Sequence, residues 1–329
     1  MKSAIVIFSF NRPEILKQLL NKLSQQNNVD NFDIYLYQDN NYNNYSKKEY
    51  CSKSIINENI KNFQDALPTG KVVLQSSNIG VGLNHFIGYE DMFIKYKYDI
   101  CIFLDDDVIL DNSNCLNTLI LMNNMTQNNK DVMGSELYTI PFIYKTNKNK
   151  VLLMDTFKYH IDFKGFCCSK IKFNLIYNFY KDKVNAFFKG IDYKERWKVR
   201  DKVEKISYEN KIKNFFLTEN NSKNKFYSQD WVRDTCFRHF GMNRKAILNV
   251  NIAKNIGDIG VHSDKKLFIL EGFDNIKTYE GEINIDETIY INDNSILINN
   301  NPSFEKFSLT YKSEETKLFL MKKYKYRFN

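Results

Sequence analysis

The sequence predicts an α/β fold, a central and mostly parallel sheet flanked by helices, with a C-terminal extension. Three observations lead there. Over the first hundred residues, short apolar runs alternate with segments of helical period. The runs are apolar along most of their length, as strands covered on both faces require. Each of four such runs also ends in a polar cluster, where an open parallel sheet binds its ligands.

Taken in order, Ala4–Ser9 is the first strand. Asn11 caps a helix with Pro13 and Glu14 in its first turn and Ile15, Leu16, Leu19, Leu20 and Leu23 on its apolar face. Asp33–Tyr37 is the second strand, and the polar stretch from Ser46 to Asp65 reads as a helix. Pro68-Thr69-Gly70 turns into a third strand, Lys71–Gln75. Gly80 to Lys97 reads as helix, followed by the buried strand Ile100–Leu104. This βαβαβ order is Rossmann-like. The polar clusters at the strand ends are Asn11-Arg12, Gln38-Asp39-Asn40, Ser76-Ser77-Asn78 and Asp105-Asp106-Asp107.

Beyond this first subdomain, residues 1–110, a second at 111–265 reads as less regular. It holds an aromatic, lysine-rich helical stretch at 171–215 and a polar region around Trp231. The extension, 266–329, carries alternating segments at Glu282–Ile285, Thr288–Ile291 and Ser295–Ile298, then a basic tail, Lys322-Lys323-Tyr324-Lys325-Tyr326-Arg327.

Composition narrows the classes. The 329 residues are 43% apolar and 15% aromatic, enough for a sizeable core. Mean hydropathy is −0.49, and no run approaches the roughly 18 apolar residues that would span a bilayer. The five apolar residues Ala4–Phe8 are too few for a signal peptide. Six cysteines without a C-x-x-C pair fit a reduced, cytoplasmic chain. The net charge of +8 sits largely in the tail, which reads as a solvated terminus or a peripheral contact with an anionic membrane. It is no sign of nucleic-acid binding, because the expected ligand edge of the sheet is acidic.

Asp105-Asp106-Asp107 carries the first chemistry. Three adjacent carboxylates at the end of a buried strand repel one another unless a cation or hydrogen-bond donors compensate. Alternation along an extended chain would put Asp105 and Asp107 on one side. Hard oxygen ligands suit Mn²⁺ or Mg²⁺ bridging to phosphates. The bland alternative is an acidic loop capping the next helix.

Four motifs in order, Ile7-Phe8-Ser9-Phe10-Asn11-Arg12-Pro13, Gln38-Asp39-Asn40, Asn78-Ile79-Gly80-Val81-Gly82-Leu83-Asn84 and the aspartate triplet, resemble the GT-A (nucleotide-diphospho-sugar transferase) glycosyltransferases. The nearest likenesses are the broad family 2 enzymes and N-acetylglucosaminyltransferase I. That resemblance implies that Ser9, Asn11, Arg12 and Asp39 hold the base and ribose of a nucleotide-sugar donor, a UDP-sugar. Asn78 and Gly80 belong to the same donor loop, and Gly80 and Gly82 also suit a tight strand-to-helix turn. Asp105 and Asp106 are placed near the ribose or donor sugar, and Asp107 becomes the metal ligand.

The second half adds Ser228-Gln229-Asp230-Trp231-Val232-Arg233 and Asn255-Ile256-Gly257-Asp258-Ile259-Gly260-Val261-His262-Ser263, which look like the corresponding part of N-acetylglucosaminyltransferase I. There an acidic pair precedes a tryptophan and one carboxylate is the base. Asp230 takes that role here, as an inverting transfer requires one base for the acceptor hydroxyl. Gln229 stands where the other acid is expected, so Asp234, one turn on, is the fallback. By the same resemblance His262 contacts the diphosphate or completes the metal shell, and His160–Gly165 resembles an acceptor-side loop. The expected acceptor is a glycan, a lipid-linked glycan or a protein. The rivals are a sugar-nucleotide nucleotidyltransferase, which would need a glycine-rich loop after the first strand, and a non-catalytic sugar-nucleotide-binding module, which would not need Asp230.

Overall fold

The computed structural model describes residues 1–137, 149–155, 164–194, 229–257 and 278–290. Strand β1 is Ser3–Ser9, followed by α1 (Pro13–Leu23) and β2 (Asp33–Gln38). Two short strands, β3 (Tyr42–Asn43) and β4 (Lys48–Glu49), precede α2 (Lys53–Ala66), β5 (Lys71–Leu74) and α3 (Gly80–Glu90). Then come β6 (Ile100–Asp105), β7 (Val108–Leu110), α4 (Cys115–Met125), β8 (Val132–Leu137), β9 (Asn149–Asp155) and β10 (Lys164–Ser169). Helices α5 (Lys170–Phe187) and α6 (Gln229–His239), with strands β11 (Arg244–Leu248), β12 (Ala253–Asn255) and β13 (Ile285–Tyr290), complete the described chain.

The chain forms two compact units. One comprises residues 1–17, 32–103 and 169–242; the other comprises 18–31, 104–168 and 243–329. The boundaries fall inside α1 and inside β6. In the first unit the strand order is β6-β1-β2-β5. β1 and β2 pair in parallel with Ile5 beside Ile34 and Ile7 beside Leu36, and β2 and β5 pair in parallel with Tyr37 beside Val73. Ala4, Ile5, Val6 and Ile7 are fully buried, which accounts for an apolar run without alternation. Helix α3 packs over this sheet, and Gly88 is the point of closest approach. A Cβ there would stand 2.6 Å from the Phe8 ring, which in turn stacks on His85 at 3.8 Å.

In the second unit the order is β13-β9-β11-β8-β10, and β7 pairs separately and antiparallel with β12. Leaving aside the short antiparallel pairs β3–β4 and β7–β12, the parallel pairings β1–β2, β2–β5, β8–β11 and β9–β13 outnumber the antiparallel β8–β10 and β9–β11, the mostly parallel α/β arrangement that the sequence predicts.

Several local expectations are corrected. The helix expected from Ser46 begins only at Lys53, because Asn43 Oδ1 accepts from the backbone N–H groups of Tyr45 and Ser46 at 2.9 Å each and Lys47 takes φ 56°. An asparagine-closed turn therefore replaces the first helical turns. The helix expected to run to Lys97 leaves α-geometry at Asp91. It widens to a π-helical turn over Asp91–Lys95 and stops at Lys97, φ 60°. Of the expected alternating segments, β13 takes in only Ile285 of the first and residues 288–290 of the second, and residues 282–284 carry no strand. The third, Ser295–Ile298, lies outside the described residues, as do Ile291, His160 and the basic tail. All six cysteines are free thiols. Among the described residues no helix is long and apolar enough to cross a membrane.

The region read as irregular supplies the second unit's sheet. Its strands hide from a hydropathy scan because their buried faces carry charge. Lys245 of β11 and Glu136 of β8 are both fully buried and joined at 2.5 Å, with Lys245 Nζ 5.5 Å from the centre of the Phe166 ring. Such a pair contributes little beyond an apolar pair of equal volume, but either charge left alone is costly. Lys245→Met alone is therefore expected to lower unfolding free energy by about 3–5 kcal/mol, and Lys245→Met with Glu136→Leu to recover most of that, as read by denaturant unfolding.

Candidate active site

In the first unit, the carboxyl ends of β1, β2 and β5 meet three loops and the start of α3. Asp39, the residue after β2, is 3% exposed. Its Oδ1 accepts from the backbone N–H groups of Asn40 and Ile79, and its Oδ2 from that of Gly80, each at 2.9 Å. Gly80 opens α3, so the carboxylate satisfies the free amides of a helix start and faces the positive end of its dipole. Burial pushes the Asp39 carboxyl up to about 7, against the pull of the three backbone donors. Gly80 has φ +77°, and a Cβ there would lie 2.3 Å from Tyr193 Cβ. Both facts require glycine.

Amide side chains join the surrounding loops. Asn78 Nδ2 donates to Asn40 O at 2.9 Å, and Asn43 Nδ2 donates to Asn78 O at 3.0 Å. Asn40 Nδ2 donates to Gln75 O at 2.8 Å, while Gln38 Nε2 reaches Phe10 O at 2.7 Å. Fully buried Asn59 of α2 donates to Phe10 O at 2.8 Å, to Gln38 Oε1 at 3.0 Å and to Ser9 Oγ at 3.3 Å. Sequence reasoning missed Asn43 and Asn59. For Asn59 a signal existed: it continues the Ile56, Phe63 stripe at i, i+3, i+7, an amide on an apolar face. Of the expected donor residues, Ser9, Asp39, Asn78 and Gly80 share this loop cluster, with Asn11 exposed and Arg12 half-buried beside it in sequence.

Helix α6 of the same unit carries the base candidates. Arg233 is buried and lies 3.4 Å from Asp230 Oδ1, while its Nε donates to Asp234 Oδ1 at 2.9 Å. The Asp230 side chain is 23% exposed and that of Asp234 only 3%. Asp230 is thus the more solvent-accessible of the two candidates. Gln229, where a second acid was expected, accepts from the Tyr193 hydroxyl at 2.6 Å.

In the second unit, β6 ends at Asp105, and Asp106-Asp107 form a two-residue turn into β7. The expected extended run through Asp107 is thus corrected: a turn at Asp106-Asp107 interrupts the strand, so the alternation that would pair Asp105 with Asp107 does not apply. Asp106 and Asp107 are buried and Asp105 is half-buried. The turn is fixed from the β12 side, where Ile256 N donates to Asp107 O at 3.0 Å and Gly257 N to Asn255 Oδ1 at 2.9 Å. Among the described residues, no three His, Cys, Asp or Glu side chains gather as a metal-binding group. The hard, buried carboxylates of Asp106 and Asp107 fit an oxygen-seeking ion that takes its other ligands from phosphate and water, not a closed structural site. His262 lies outside the described residues.

No family model matches the chain, and no curated protein matches it. Partial likenesses exist among solved structures. Residues 1–349 of Staphylococcus aureus TarS share 18% identity over 54% of this chain and 50% of that one, with a TM-score of 0.38. A 4-diphosphocytidyl-2C-methyl-D-erythritol synthase from Anaerococcus prevotii shares 13% identity over 61% and 82% of the two chains, TM-score 0.33. A protein described as a nucleotide-diphospho-sugar transferase from Desulfovibrio desulfuricans shares 13% over 73% and 99%, TM-score 0.32. This chain spans only half of the TarS segment. The α/β architecture stands on the strands and helices described above.

The raised Asp39 carboxyl makes a pH prediction. A folded-state value near 7, above the unfolded value of about 3.9, gives stability that is complete below about 4 and lost as pH rises through 7. The stability advantage of the wild type over Asp39→Asn is expected to narrow between pH 4 and 7 and to level off above, measured by thermal unfolding across pH. Gly80→Ala is expected to destabilise at every pH, because its strain does not titrate.

Proposed function

We propose that this chain is an inverting, metal-dependent glycosyltransferase. It transfers a sugar from a UDP-sugar donor to a hydroxyl of a glycan, a lipid-linked glycan or a protein, and GlcNAc is the sugar that the second-half resemblance favours. The observation that carries the reading is the polar loop cluster at the carboxyl edge of the first unit's parallel strands, built on Asp39 and the amides that open α3. Ligands of such sheets bind at this edge, and four of the residues expected to hold the donor lie in it.

The roles follow from chemistry. Asp107 holds Mn²⁺ or Mg²⁺, with Asp106 as a donor contact and Asp105 and His262 as further members of the donor set. When bound, the ion offsets charge developing on the departing diphosphate. Asp230 takes the proton of the attacking acceptor hydroxyl. Its partial exposure supports that role, and Arg233 at 3.4 Å favours its ionised form.

A panel of nucleotide-sugars with Mn²⁺ tests the reading by thermal shift, since a ligand of the folded state stabilises by mass action. One UDP-sugar is expected to raise Tm only with the metal present. Asp107→Ala is expected to abolish both that shift and transfer, while Asp230→Asn keeps the shift and loses transfer by about 10²-fold or more. Full activity in excess EDTA would sink the metal assignment, and full activity of Asp230→Asn the base.

A further inference from the structure

Gln229 opens α6 immediately before Asp230, and both ends of its amide are engaged. Oε1 accepts from the Tyr193 hydroxyl at 2.6 Å, and Nε2 donates to Asp230 Oδ2 at 3.4 Å. Tyr193 is itself buried and seated on Gly80, whose hypothetical Cβ would be 2.3 Å from Tyr193 Cβ. The segment carrying Tyr193 is fastened through Asp192. The Tyr50 hydroxyl donates to Asp192 Oδ2, and Lys194 N donates to Asp192 Oδ1 at 2.9 Å. A run of contacts therefore leads from the amide that binds Asp39, through Gly80, Tyr193 and Gln229, to the carboxylate of Asp230.

An amide suits this position, because it accepts from a phenol and donates to a carboxylate at once, whereas an ionised glutamate could only accept. A glutamate would also set two carboxylates side by side and drive one of them to keep its proton. The groups facing Asp230 make the balance delicate. Arg233, on its own helix, also binds Asp234 and donates to the Tyr89 hydroxyl of α3 at 2.9 Å. From α5, Tyr180 is fully buried, its phenol raised by burial first and by the Asp230 charge among lesser causes. The cation beside Asp230 is thus shared, and the Gln229 N–H is an additional donor to the Asp230 carboxylate.

We propose that Tyr193 and Gln229 are positioning residues for the transfer reaction: Tyr193 orients the Gln229 amide so that it donates to Asp230 and holds that carboxylate ionised in one orientation. The catalytic meaning rests on the base assignment above, while the contact run stands without it. Because Tyr193 rests on Gly80, the orientation of the carboxylate is set from the same loop that Asp39 fastens.

The test uses the full chain with ¹³C-carboxyl-labelled aspartate, the Asp230 resonance being identified by its loss in Asp230→Asn. Gln229→Glu is expected to raise the Asp230 titration midpoint by about one unit or more. Tyr193→Phe, which keeps the ring on Gly80, is expected to raise it by less. Both should leave the unfolding midpoint within a few degrees of wild type. In transfer assays Tyr193→Phe should lower kcat with KM unmoved and shift the acid limb of the pH profile by the same amount as the resonance. Unmoved midpoints in both variants overturn the relay, even if Asp230→Asn is inactive. Shifted midpoints with a fully active Asp230→Asn support the contact run and overturn the base assignment instead.

Discussion

The first unit depends on one carboxylate. Asp39 follows β2 and binds the backbone N–H groups of its own neighbour, of Ile79 and of Gly80, the residue that opens α3 some forty positions further along the chain. A helix start needs acceptors for its free N–H groups, and a buried carboxylate needs donors; each supplies what the other lacks. Remove it and the loop from Ser76 to Gly80 loses the fixed point about which Asn40, Asn43 and Asn78 arrange their amides. Even so, burial pulls the group toward neutrality, so the contact is held near the point at which it would take up a proton.

This arrangement separates the two tasks expected of the strand edge. Asp39 accepts backbone hydrogen bonds through both oxygens, which makes it a builder of the loop as well as a candidate contact for the donor. Asn78 works in the same way through Asn40 O. The polar residues that follow β1, β2 and β5 are in large part partners for one another, and what they leave toward a ligand is a shaped backbone rather than a row of free side chains.

Much of the first unit was legible in the sequence because its strands are apolar on both faces and its helices keep a 3.6-residue period. Ala4–Ser9, Asp33–Tyr37, Lys71–Gln75 and Ile100–Leu104 fall within a residue or so of observed strands. The hairpin at 42–49 was hidden because its turn is set by a single asparagine side chain, which local composition does not distinguish from a helix cap. The second unit's sheet was hidden for another reason. β8 reads Val-Met-Gly-Ser-Glu-Leu and β11 reads Arg-Lys-Ala-Ile-Leu, and the pairing of Glu136 with Lys245, which brings two buried charges together, is tertiary and not visible in either segment. Within the site, Asp39 and Gly80 stood out as residues, but their mutual contact did not. Nor did the sequence reveal Tyr193, whose role appears only once Gly80 and Gln229 are seen on either side of it.

The Glu136–Lys245 pair also bears on how the second unit comes together. Its partners are 109 residues apart in the chain and meet on adjacent parallel strands. Until Lys245 arrives, Glu136 must keep its water, so β8 cannot dry out against its neighbours in advance. The partner of the charge in β8 thus comes from a segment made much later, which ties the closure of this part of the sheet to the arrival of β11. A chain cut short before Arg244 would leave the buried Glu136 without the cation that faces it from the neighbouring strand.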